Sequence, residues 1–147
     1  MFCAIGKGLT KVDLKDENIV EIVAFATDIC SRVTSFKDRL YYTDSIRSEV
    51  VCCDINGTIL WTFTDKSALN APSSITVDDY GHVYVVGANP VNVIVISPDG
   101  KEHRQLLSKA DRLTIQGHCI MTGKQSSCML PTQIHLLLFT VLSISKH

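Results

Sequence analysis

The chain has 147 residues, 46% of them hydrophobic and 20% charged, and a net charge of −1 from 14 basic and 15 acidic side chains. This is ordinary globular composition for about one domain. A near-neutral balance supplies no electrostatic case for a nucleic-acid partner, so RNA is not supported by charge.

The start, MFCAIGKGLTKVD, lacks a basic segment followed by an apolar core, which sets a cytoplasmic expectation. GKGLTK lacks the spacing of a phosphate-cradling loop. The first predicted strands cover 9–14 and 19–23. Strands then follow over 31–36, 39–43, 49–54 and 58–63, and again over 73–77, 82–86, 92–97 and 102–107. Each is a run of five or six residues dense in β-branched and aromatic side chains, bounded by Gly, Pro, Asn or Asp turns. No stretch up to Ser108 shows the three-four apolar spacing of a helix.

These strands repeat. Asn56-Gly57 matches Asp99-Gly100, Tyr41 matches Tyr84, and Cys52-Cys53 matches Val95-Ile96, each pair 43 residues apart. An earlier partial copy, Val12-Asp13-Leu14-Lys15-Asp16, resembles Cys53-Asp54-Ile55-Asn56-Gly57. A self-match at this period with short strands is the mark of propeller blades, whereas a sandwich has no reason to repeat. The expected fold is all-β: a partial β-propeller with blades of four antiparallel strands, lettered A to D in chain order within each blade (31–36, 39–43, 49–54 and 58–63; then 73–77, 82–86, 92–97 and 102–107), an incomplete ring and an irregular C-terminal tail. Its expected divisions are 1–23 (two last strands of a preceding blade), 24–64 (a blade), 65–108 (a blade) and 109–147 (an aberrant tail). A ring of typically four to eight blades is not filled by these, so a marginal or sticky product is expected.

The six cysteines, Cys3, Cys30, Cys52, Cys53, Cys119 and Cys128, form no C-x-x-C pair, and adjacent Cys52 and Cys53 point to opposite faces of a strand. Free thiols in a reducing compartment are expected, and no metal site. Asp78-Asp79 reads as turn chemistry, with the carboxylates satisfying local N–H groups. The five histidines, His82, His103, His118, His135 and His147, show no metalloprotease spacing and no nucleophile motif. Trp61, Phe63, Tyr41 and Tyr84 fall on strands, where packing within or between blades outweighs a base-stacking platform.

The segment PSSITVDDYGHVYVVG, followed by NVIVISPDGKEHRQLLS, resembles an NHL-repeat blade: Pro, a small residue, apolar-x-Val-Asp, a Gly turn, then apolar-Tyr-Val. The wording is similar to the C-terminal propellers of tripartite-motif (TRIM-NHL) and TRIM-like proteins, over about 100 residues. Ser74 stands where such blades usually carry Gly. No Cys/His ladder matches a RING finger or B-box, so the ubiquitin-ligase chemistry of that wider family is not in this chain. The resemblance implies a non-enzymatic, substrate-recognition role with a protein partner, and no cofactor, small-molecule substrate or membrane.

After Asp111 the repeat pattern stops, although the 43-residue period calls for a new strand near 115. Shifted by one base, residues 114–133 can be re-read as NPRALYYDRKTIKLYVTNS. The Leu at the His118–Cys119 junction and the Asp at the Met121–Thr122 junction are fixed whichever synonymous codons are used, and both fall on matching blade positions. We therefore expect a frame-shifted or mis-spliced reading of a further blade, with a genuine variable tail as the alternative. The apolar run 134–144 is too short to span a membrane, which takes about 20 residues.

On propellers the loops joining strands B to C and strands D to A share one rim. Here these are 44–48, 87–91 and 64–71, and Arg47, Lys66 and Asn89 are the expected partner contacts. Two other readings are open from the sequence: a non-functional truncated gene product, and a gluconolactonase-like metal-dependent hydrolase, which needs inward carboxylate and Asn ligands from several blades.

Overall fold

A computed structural model describes residues 2–5, 8–12, 19–24, 30–111, 113–116 and 119–122, with side chains described over 32–110. Among these the fold is all-β apart from one 3₁₀ turn, Lys109–Asp111. The strands are β1 (Phe2–Ile5), β2 (Gly8–Val12), β3 (Ile19–Ala24), β4 (Cys30–Phe36), β5 (Arg39–Asp44), β6 (Glu49–Asp54), β7 (Ile59–Phe63), β8 (Pro72–Val77), β9 (Val83–Ala88), β10 (Val91–Ile96), β11 (His103–Ser108), β12 (Leu113–Gln116) and β13 (Cys119–Thr122).

They form separate antiparallel meanders. β4-β5-β6-β7 is one four-stranded sheet and β8-β9-β10-β11 is another, each in simple sequence order. No ladder joins β7 to β8, so the chain leaves one sheet at its edge and begins the next. This is the blade arrangement of a β-propeller, in which neighbouring sheets stack face to face instead of extending one another.

The N-terminal residues form a three-stranded sheet, β1-β2-β3, one strand more than the sequence pattern indicates. β1 pairs with β2 from Phe2↔Lys11 to Ile5↔Gly8. The pattern missed it because FCAI has no period-two alternation and adjoins the glycines of GKG. β1 packs on β4 as β5 packs on β8, so β1, β2 and β3 take the places of strands B, C and D. Past the second blade, β12 and β13 form a hairpin paired from Leu113↔Thr122 to Gln116↔Cys119, close to where the 43-residue period calls for a strand. Most of the expected aberrant tail, including the apolar run 134–144, lies outside the described residues.

The main core lies between the two four-stranded sheets. Tyr41, Val50, Cys52 and Phe63 from the first meet Ile75, Val83, Val85, Ile94 and Ile96 from the second, with Leu69 of the crossover plugged between them. Burying side chains of this size stabilises by about 1.5–3 kcal/mol each. Leu40, Tyr42, Val51 and Cys53, on the opposite face of the first sheet, are buried as well. Tyr84, Val86 and Val93 play that part in the second sheet, packed with Val91, Val95, Leu106 and Leu107. Burial on both faces explains why strands B and C read as continuous apolar runs instead of alternating ones.

The 43-residue period is visible in the turns. Gly57 N–H donates to Asp54 O at 3.0 Å, and Gly100 N–H donates to Ser97 O at 2.9 Å. Both glycines have positive φ, +88° and +74°. The closing side chain is Asp54 in one copy, accepting from Thr58 N at 2.9 Å, and Ser97 in the other, accepting from Glu102 N at 2.9 Å. One loop design is built twice from different letters. The second copy also locks the blades together: Trp61 Nε1 donates to Pro98 O at 3.1 Å, and its indole lies flush against Gly100.

Candidate interaction rim

Strand direction sorts the loops into two rims. The 44–49 and 88–91 connections and the 63–72 crossover emerge at one end of the sheets; the turns at 36–39, 54–59, 77–83 and 96–103 emerge at the other.

Each loop of the first rim is folded by an inward-turned polar group. Asp44 Oδ1 accepts from Ile46 N and Arg47 N, both at 2.9 Å. This Asp-led turn forces Ile46 and Arg47 outward. Asp65 Oδ1 accepts from Ser67 N at 3.0 Å, from Ser67 Oγ at 2.6 Å and from Ala68 N at 3.2 Å. Its backbone carbonyl takes Leu69 N at 2.8 Å, which turns the chain so that Leu69 enters the core. The Ser67 hydroxyl, then the Ala68 and Ser67 amides, hold the Asp65 carboxyl below its usual range, with help from His103.

The three loops are then tied together. Ser48 Oγ donates to Asn70 Oδ1 at 2.7 Å and accepts from Ala71 N at 3.1 Å, which bonds the first B–C loop to the crossover. Ala88 N and Asn89 N donate to Asn70 O at 3.2 and 3.1 Å, which bonds the second B–C loop to the same crossover. Beneath them Asn92, fully buried, donates through Nδ2 to Ala68 O at 2.6 Å and to Gln105 Oε1 at 3.2 Å. Gly87 makes this possible: a Cβ there would strike the Asn92 amide oxygen, with Leu69 Cδ1 and Pro90 O at 3.0 Å. The rim is therefore one connected platform.

The three residues expected from the sequence all stand on it. Arg47 is exposed, its side chain 53% accessible, with Nε 3.9 Å from Asp44 Oδ2. A surface pair of that length stabilises little and leaves the guanidinium available. Lys66 is exposed at the crossover turn and Asn89 at the second B–C loop, where the Asn89–Pro90 bond is cis. Sequence reasoning missed Ile46, 55% exposed beside Arg47, and the framework residues Ser48, Asn70 and Asn92. Asn92 carried a usable signal, since it interrupts the apolar run of β10.

On the second rim Asp78 is the most connected group. Its Oδ1 accepts from Tyr80 N at 2.9 Å and His82 N at 2.8 Å; its Oδ2 meets His82 Nδ1 at 3.0 Å and accepts from Tyr84 OH at 3.1 Å. Burial alone would raise its pKa, but the His82 and Tyr80 amides and the two side-chain bonds outweigh it and hold the carboxyl below its usual range. Burial, and then the adjacent Asp78 charge, push Tyr84 up to about 12. Asp78 thus serves its turn, as its position suggested. Among the described residues no group of three or more His, Cys, Asp or Glu side chains is placed to hold a metal ion. Cys52 and Cys53 are both free and buried, and no helix among the described residues is long and apolar enough to cross a membrane.

Stacked four-stranded meanders with connecting loops gathered on shared rims define a β-propeller-like protein. A solved chain titled "Crystal structure of Nidogen/Laminin Complex" superposes on this one with a TM-score of 0.61 and 17% sequence identity, over 78% of this chain and 48% of that chain. The likeness is one of fold, and this chain spans about half the length of that one. No protein-family model matches the sequence, and no curated protein matches it.

Proposed function

We propose that this chain is a partner-binding propeller module that uses the rim formed by 44–48, 64–71 and 87–91 to hold a protein segment, without catalysis of its own. The observation that carries this reading is the hydrogen-bonded network of Ser48, Asn70 and Asn92. It fixes three loops relative to one another while Ile46, Arg47, Lys66 and Asn89 stay exposed above it. A pre-organised surface loses little loop entropy on binding. An exposed Ile beside an Arg offers an apolar contact next to a hydrogen-bonding cation, and Arg is enriched in protein interfaces. The resemblance of PSSITVDDYGHVYVVG to NHL blades points the same way, toward substrate recognition as in TRIM-type ubiquitin ligases, with the transfer chemistry supplied by other domains.

The test is cross-linking mass spectrometry in cells with three forms of the chain: the natural sequence, an Ile46→Ala/Arg47→Ala/Lys66→Ala variant, and an Asp79→Ala/Lys101→Ala variant of the other rim. The proposal expects the same partner peptides with the natural and second-rim forms and their loss with the first-rim variant. Partner capture that survives the first-rim variant and fails with the second-rim variant would overturn it.

A further inference from the structure

The C–D turn of the first four-stranded blade, at the end of the sheets opposite the proposed binding rim, holds a chemically unstable pair, Asn56-Gly57. We infer that Asn56 is a site of spontaneous backbone-assisted deamidation, and that the isoaspartyl product makes the first blade a substrate for an isoaspartyl carboxyl methyltransferase.

The reaction is intramolecular. The Gly57 backbone nitrogen attacks Asn56 Cγ and closes a five-membered succinimide; the Cγ–Nδ2 bond breaks, and solvent takes the Gly57 proton and returns one to the leaving nitrogen, which departs as ammonia. Water then opens the ring at either carbonyl, giving aspartate or isoaspartate. No oxidant or cofactor enters. The step needs an accessible Asn side chain, a following N–H, and no side chain on the following residue to obstruct the approach.

The chain has five asparagines, and the structure separates the four whose side chains it describes. Asn56 is exposed at the tip of its turn and is followed by glycine. Asn70 accepts from the Ser48 hydroxyl and is followed by Ala71. Asn89 precedes Pro90, which has no N–H to attack with. Asn92 is fully buried and followed by Val93. The fifth, Asn18, precedes β-branched Ile19, which obstructs the attack.

The turn also sets the rate. Gly57 N–H is held by Asp54 O at 3.0 Å, and Asp54 Oδ1 gathers Asn56 N at 2.8 Å and Thr58 N at 2.9 Å. Attack requires the first of these bonds to open, and the Asp54 carboxylate, by gathering the Asn56 and Thr58 amides, holds the turn that keeps it closed, so this side chain acts as a brake. The Thr58 amide first, then those of Asn56 and Gly57, hold the Asp54 carboxyl below its usual range.

The sister turn shows which product is tolerated. Asp99 stands where Asn56 does, 43 residues on, before Gly100 in the same loop design, with Oδ1 bonded to Ser97 Oγ at 2.6 Å. Ordinary aspartate therefore suits the fold. Isoaspartate adds a backbone carbon between Asp54 and Thr58, whose amide and carbonyl close the loop at 2.9 Å, and it disturbs that closure.

The experiment incubates the purified folded chain at physiological temperature and mildly alkaline pH. Peptide mass mapping locates amide-to-acid conversion, and isoaspartyl methyltransferase with labelled methyl donor reports isoaspartate. We expect conversion and label at Asn56, no conversion at Asn70, Asn89 or Asn92, no label at position 56 in Asn56→Gln, and several-fold faster conversion in Asp54→Ala. Retention of the Asn56 amide while a free peptide of the same sequence converts fully, or earlier conversion at another asparagine, would overturn the inference. Neither result bears on the partner-binding rim at the opposite end of the sheets.

Discussion

Replacing Gly100 with alanine tests the contact that locks one blade to the next. Gly100 sits at φ +74°, and a Cβ there would lie 2.5 Å from Trp61 Cδ2 and 2.7 Å from Cε3 and Cγ. Two costs add. A left-handed conformation with a Cβ costs about 1–2 kcal/mol. Overpacking against a ring that cannot retreat costs about 1–3 kcal/mol, because Trp61 is held by Pro98 O and tilted against Tyr41 at 6.1 Å. Gly100→Ala should therefore destabilise by roughly 2–5 kcal/mol, a large share of the stability of an ordinary domain, about 5–15 kcal/mol. The chain's single tryptophan is the indole at issue, so urea unfolding followed by its fluorescence reads the event locally. In a Trp61→Leu background, read by circular dichroism, the same substitution should keep only the backbone part, a coupling of about 1–3 kcal/mol. A loss below about 0.5 kcal/mol with unchanged native emission would refute the packing argument.

Other outcomes follow from the same geometry. Asn92→Asp should be more destabilising than Asn92→Ala, because a buried carboxylate cannot donate to Ala68 O and adds an uncompensated charge; the alanine should cost about 1–3 kcal/mol by thermal unfolding. Asp54, Asp65, Asp78 and Asp99 all have folded pKa values below 3.8. Between folded and unfolded values the unfolded chain binds more protons, so stability is full above about pH 5 and falls as pH drops through the depressed values; Asp78→Asn should flatten that acid limb in pH-dependent urea titrations. Burial raises Cys52, and it pushes Cys53 up to about 11, reinforced by the Cys52 and Asp54 charges. At pH 8 both should resist alkylation in the folded chain and react in denaturant, as mapped by peptide mass.

The blades were legible because three signals coincided: turn dipeptides at a fixed interval, β-branched runs between them, and continuous apolar character in strands B and C. Glu49–Asp54 follows from sequence with both ends in place. The rim was only half legible. Arg47, Lys66 and Asn89 could be assigned to loops by strand order, but Ser48 reaches Asn70 across 22 residues and Asn92 reaches Ala68 across 24, and no local pattern announces such pairings. Phe2–Ile5 escaped because a four-residue strand beside glycines leaves too few positions to show a period.

The central claim is that the chain folds as separate stacked sheets repeated along the sequence, and backbone and side-chain NOE contacts test it most directly. Strands β4-β5-β6-β7 and β8-β9-β10-β11 should each pair only among themselves, with no β7–β8 ladder and with cross-sheet contacts from the Trp61 indole to the Gly100 α-protons. A continuous ladder running from β7 into β8, with the indole remote from Gly100, would contradict it.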